Sequence, residues 1–121
     1  MKALDTYALV EIYKGNTKFE KYLSEDIALN DLTLIEFFWV LLRDVSREEA
    51  AGWYKKFEPY SYLVGRKILV KAMIFRKENK KKNLSFFDCV GYVFALENKI
   101  KFVTGNKEFE KIPYVEFVKN L

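Results

Sequence analysis

The 121 residues match one ordinary domain, and half of them are hydrophobic, enough to bury a core without disulfides or a structural metal. There is no histidine and a single cysteine, Cys89, which excludes imidazole-based hydrolysis, Cys-His chemistry, His-ligated zinc and an internal disulfide. The net charge of +4 suits an anionic partner. No apolar run approaches the roughly 18 residues of a membrane span, and the start has no signal-peptide pattern, so the expected compartment is the cytoplasm.

The chain opens on a short apolar strand, residues 2–4, that ends on Asp5-Thr6 and turns at once into a helix whose apolar residues recur at helical spacing through Tyr13. An apolar run without alternation is the signature of a central parallel strand buried on both faces. Its carboxyl end is where open α/β sheets bind ligands. Taken alone, Asp5 reads first as the N-cap of the helix that follows. Thr17-x-x-Glu20 has capping-box spacing for a second short helix, and residues 26–30 form the next strand candidate.

Thr33-x-x-Glu36 repeats that spacing before Phe37-Phe38-Trp39-Val40-Leu41-Leu42, which is apolar all round and predicts a buried helix. Ser46-x-x-Glu49 opens a helix with Ala50, Trp53, Tyr54 and Phe57 inward, stopping before Pro59. Residues 60–64 are a strand candidate. A helix from Arg66 carries Ile68, Leu69, Ala72, Met73 and Arg76 on one face and runs into a basic segment, residues 77–83. Ser85-x-x-Asp88 is the fourth box, opening an apolar helix, and strands are expected at 100–103 and 114–118. Strands alternating with helices, with no repeat or low-complexity linker, predict a single α/β domain built around a parallel sheet.

Four boxes of the same form make the spacing cheap. Thr17/Glu20 and Ser46/Glu49 lead into mixed polar helices and read as plain caps. Glu36 and Asp88 open helices rich in apolar residues, so their carboxylates lie near the core and need a partner, for which a metal ion is one solution. Hard divalent ions take carboxylate oxygens, and metal-assisted phosphodiester hydrolysis needs no histidine.

Asp5-Thr6, Thr33-Leu34-Ile35-Glu36, Phe87-Asp88 and Val103-Thr104-Gly105-Asn106-Lys107-Glu108-Phe109 resemble, in order and spacing, the pattern of the PIN domain family, and most of all its small VapC-type toxin ribonucleases. The resemblance spans residues 2 to about 118. It implies a three-layer α/β/α domain and an acidic cluster of Asp5, Glu36 and Asp88 holding Mg2+ or Mn2+, with Thr6 and Thr104 in support. It also implies cleavage of single-stranded RNA, a cognate antitoxin and a homodimer. The chain departs from the family at the fourth acidic position, which is Asn106; Glu108 or Asp31 could substitute in part. A PIN-like module that binds RNA or protein without cutting is the alternative.

For substrate phosphates the candidates are Lys14, Lys18, Arg43, Lys80 and Lys81; a basic run such as 77–82 is also an ordinary solvated loop. Tyr7, Tyr13 and Trp39 could stack on bases or belong to the core. Cys89 reads as a small buried hydrophobe. A carboxylate-based phosphatase is disfavoured because Thr6-Tyr7 stands where an Asp-x-Asp pair is needed.

Overall fold

The computed structural model describes residues 1–120. Five parallel strands form one sheet in the order β3-β2-β1-β4-β5, with β1 at Lys2–Leu4, β2 at Ile27–Asn30, β3 at Ser61–Tyr62, β4 at Lys101–Thr104 and β5 at Val115–Phe117. Six helices flank it: α1 (Thr6–Tyr13), α2 (Thr17–Glu20), α3 (Asp31–Asp44), α4 (Arg47–Phe57), α5 (Arg66–Glu78) and α6 (Phe86–Glu97).

Alternate residues of each strand enter different cores, which makes the fold three-layered. Leu4, Ile27, Leu29 and Val103 pack with α1 to α4, including Leu9, Phe37 and Phe57. Ala3, Ala28 and Phe102 face the other way, into the core of α6, Ala72 of α5 and Phe109. The two alanines are register partners on β1 and β2. α6 is buried continuously from Cys89 to Ala95 because it lies between the sheet and α5. Its approach is close: a Cβ on Gly91 would stand 2.9 Å from the Phe102 ring. Phe102 in turn meets Tyr92 and Phe109 edge-on, and such aromatic pairs add about 0.5–1.5 kcal/mol each beyond area burial.

From β1 the chain moves outward through β2 to β3 with its helices on one face, then crosses back over the other face to β4 on the far side of β1. Right-handed crossovers running in opposite directions must use opposite faces. The reversal creates a switch point between β1 and β4 at the carboxyl edge of the sheet, the position at which open α/β sheets hold ligands.

Several helix starts differ from expectation. The N-cap of α2 is Asn16, whose side chain accepts from the Lys18 N–H, and not Thr17. The N-cap of α3 is Asn30, which accepts from the Thr33 N–H, so Thr33 and Glu36 lie inside the helix and do not form a box. Ser46 accepts from the Glu49 N–H, and only Ser85 and Asp88 form the full reciprocal box. α3 is not buried all round: Ile35, Trp39 and Leu42 are exposed while Leu34, Phe37 and Leu41 face the core. On α5, Met73 is exposed and Ala72 is the buried residue. The strand expected at 60–64 pairs only at Ser61–Tyr62, on the sheet edge. No helix among the described residues is long and apolar enough to cross a membrane.

Candidate active site

Asp5 follows the last residue of β1, and its N–H donates to the Val103 carbonyl of β4, which pins it to the switch point. Its side chain is buried, 4% exposed, and caps α1 by accepting from the Ala8 N–H at 2.8 Å. The cap and the site are therefore the same carboxylate. Burial pushes its pKa up from 3.8 to about 7, opposed by hydrogen bonds from Thr104 and the Ala8 N–H and reinforced by the charges of Asp88 and Glu36.

Glu36 reaches the same edge from the second turn of α3. The Thr6 hydroxyl donates to it, and burial, with a further push from Asp88, raises its pKa. Asp88 comes from the first turn of α6, on the opposite face of the sheet. Its carboxylate accepts from the Ser85 N–H at 2.9 Å in the capping box; burial raises its pKa against the hydrogen bonds from Ser85. The structure thus brings Asp5, Glu36 and Asp88 within electrostatic reach of one another. None of the three forms an ion pair among the described residues.

Asn106 stands beside them on the turn after β4. Its Oδ1 accepts from the Glu108 N–H at 3.0 Å, capping the 3₁₀ turn Lys107–Phe109, and its Nδ2 points to Asp88 Oδ2 at 3.5 Å. With the oxygen committed to the cap, this residue donates to Asp88. Thr104, fully buried, accepts from the Asn106 N–H at 3.0 Å, so one hydroxyl organises both Asp5 and the turn. Glu108 is turned away, its Oε1 accepting from the Asn83 N–H at 2.7 Å. Asp31 is engaged by the Ser61 hydroxyl.

Among the described residues no three acidic or thiol side chains stand close enough to form a ready-made cage for an ion. The donor set nevertheless suits magnesium, which is usually held through one or two carboxylates and keeps several of its waters. Three clustered, desolvated carboxylates without a cation beside them are the charge distribution that such an ion relieves.

The basic candidates lie elsewhere. Lys14 is at the far end of α1, roughly 13 Å of helix from Asp5, and pairs with Glu11. Lys18 donates to the Lys119 carbonyl, and Arg43 pairs with Asp44 two turns beyond Glu36. Lys80 and Lys81 are exposed on the turn after α5. Tyr13 packs edge-on against Trp53, and the Tyr7 ring lies tilted against Phe19. Cys89 is buried, as expected. Lys107 and Lys119 were not singled out from sequence; they line an open cleft of about 470 Å³ that includes Asn106. Adjacency of Lys107 to the Thr104-x-Asn106 turn was the available signal.

Gly105 fixes the shape of this corner. A Cβ there would stand 2.2 Å from Cε1 of Tyr7, whose hydroxyl is held by the Asn120 amide. Gly105→Ala is expected to lower unfolding stability by about 1–3 kcal/mol, the usual cost of overpacking, and adding Tyr7→Leu should recover part of it. Denaturant titrations check this; coincident curves for wild type and Gly105→Ala would contradict the contact.

The class of protein that these observations define is a three-layer α/β domain with an acidic centre at its switch point. The sequence model of the PIN domain matches residues 2–114, and the chain belongs to that family. No curated protein matches it significantly. Solved structures share its fold. A toxin-antitoxin complex from Klebsiella pneumoniae aligns with TM-score 0.74 at 18% identity, over 96% of this chain and 96% of that one. VapC20 of Mycobacterium tuberculosis, a toxin that cleaves the sarcin-ricin loop, aligns at 0.79 and 11%, over 99% and 98%. DNA-bound VapBC of Salmonella typhimurium aligns at 0.74 and 18%, over 97% and 96%.

Proposed function

We propose that this chain is a divalent-metal-dependent endoribonuclease that cuts single-stranded RNA and acts in the cytoplasm as the toxin of a toxin-antitoxin pair. The observation that carries the reading is the trio Asp5, Glu36 and Asp88, desolvated at the carboxyl edge of the sheet and without an ion pair among the described residues. Asp5, Glu36 and Asp88 would hold magnesium or manganese, which when bound supplies an acidified water and neutralises charge on the phosphodiester. The chain's own part is positioning. Thr104 and the Ala8 N–H fix the Asp5 carboxylate, Thr6 fixes Glu36, and Ser85 with Asn106 fixes Asp88. Pre-organised oxygens of this kind need no rearrangement when charge develops.

The exposed apolar residues Ile35, Trp39 and Leu42 on α3, with Val70, Met73 and Ile74 on α5, support a protein partner, in this reading the antitoxin and a second copy of the chain. Among the solved structures of the same fold, one is described as a toxin-antitoxin complex and two as VapBC proteins bound to DNA. The missing three-acid cage and the amide at position 106 favour a second reading, an RNA-binding module that does not cut. Incubating purified protein with a labelled single-stranded RNA in Mg2+, Mn2+ or EDTA separates them: the first reading gives product only with metal, and the second gives a shifted band without product.

Asn106→Asp is expected to lower the magnesium concentration for half-maximal cleavage roughly tenfold. Aspartate preserves the cap on the Glu108 N–H and adds a charge near Asp88. Against desolvation and carboxylate repulsion this leaves on the order of 1–2 kcal/mol of metal affinity. The wild type should accordingly work better with manganese. Superimposable magnesium titrations of the two proteins would count against a role for position 106 in ion binding.

A further inference from the structure

Beside the acidic centre, on the β4–β5 side, lies the cleft that Lys107 and Lys119 line. Tyr7 and Phe117 contribute aromatic walls, Asn106 forms the end next to Asp88, and Asn120 contributes an amide. Its volume of about 470 Å³ falls in the range of small-ligand clefts. Both lysines are exposed, and neither forms an ion pair among the described residues. Glu108, the acid on the wall, is occupied by the Asn83 N–H. The combination of two available cations and two aromatic surfaces provides for the phosphate and the base face of one unpaired nucleotide, while the Asn120 amide is committed to the Tyr7 hydroxyl, Glu11 and Asn16 and braces the wall.

We infer that this cleft is the subsite for a nucleotide flanking the scissile phosphate, with Lys107 and Lys119 on its phosphates and Tyr7 and Phe117 against its base. The inference rests on the ribonuclease reading and names the residues that set where the RNA strand lies. A strand entering here reaches Asp88 across Asn106, so the phosphate next to the bound nucleotide is delivered to the acidic centre. Lys14 is carried away by α1 and takes no part, while Lys18 reaches this corner only by donating to the Lys119 carbonyl.

Binding is the readout that separates this inference from the activity itself. A fluorescein-labelled single-stranded 12-nucleotide RNA of mixed sequence is titrated in EDTA with the full chain and with its Lys107→Ala/Lys119→Ala variant, at several salt concentrations. The control is Lys55→Ala/Lys101→Ala, which removes the same charge from α4 and from the opposite edge of the sheet. The cleft variant is expected to bind about tenfold more weakly, with the slope of log affinity against log salt reduced by about 1.4, the value for two single-strand phosphate contacts. The control should stay within about twofold of wild type. Equal losses in the two variants, or none in the cleft variant, would overturn the subsite while leaving metal-dependent cleavage by the wild type, and hence the ribonuclease reading, untouched. Absence of both RNA binding and cleavage in the wild type would overturn the two together.

Discussion

Asp5→Asn should reduce metal-dependent RNA cleavage by about three orders of magnitude while leaving the protein folded. The amide oxygen can still accept from the Ala8 N–H, so the cap on α1 survives. What disappears is the charge at the switch point, placed between Glu36 and Asp88 and held by Thr104. A thousandfold loss corresponds to about 4 kcal/mol of transition-state stabilisation, a reasonable share for one charged metal ligand on a doubly charged ion. Circular dichroism establishes the fold, and single-turnover cleavage in saturating magnesium establishes the rate. Activity above a tenth of wild type would place the chemistry elsewhere.

That the same residue caps a helix and stands in the proposed site explains why it is legible in sequence and also ambiguous there. The strand before it is apolar and short, and both readings need an acid at that junction. Asp88 was legible for the same reason, since its box opens a helix that is buried for seven consecutive residues. Glu36 was found through a capping box that does not exist. The cap lies three residues earlier, at the buried Asn30, and Glu36 arrives at the edge from the second turn. Local spacing cannot reveal this, because which polar residue caps depends on where the preceding strand leaves the sheet. The exposed face of α3 was hidden by its composition: Ile35, Trp39 and Leu42 are apolar, yet they stay exposed among the described residues. The basic residues were the least legible. Charge has no periodicity to follow: Lys14 stands at the far end of α1, whereas Lys119, which the sequence did not single out, is brought beside Asn106 by the pairing of β5 with β4, with Lys18 donating to its carbonyl.

The stability of the metal-free protein is expected to fall as pH rises from about 4 to about 7, and magnesium should abolish the fall. Asp5 has a folded pKa near 7 against 3.8 ordinarily. Between those values the unfolded chain has released the proton and the folded chain retains it. Unfolding stability therefore declines with pH across that window and levels off above it. The difference sets a ceiling of about 4 kcal/mol for Asp5 alone. Glu36 and Asp88 are also raised and act with the same sign. The carboxylates held low, Glu11 and Glu116, act oppositely, but their stabilisation is lost only as pH falls below the ordinary carboxylate range. The window from about 5 to 7 thus isolates the acidic centre. Denaturant midpoints in EDTA should drop between pH 5 and pH 7.5, and Asp5→Asn should flatten most of that drop and exceed wild type in stability at pH 7.5. With millimolar magnesium the ion takes the place of the protons, and the wild-type midpoint at pH 7.5 should recover while that of Asp5→Asn scarcely moves. Wild-type midpoints that do not change with pH in EDTA would mean that burial does not hold these carboxylates in their protonated form, and recovery of Asp5→Asn by magnesium equal to that of wild type would mean that the ion binds without Asp5.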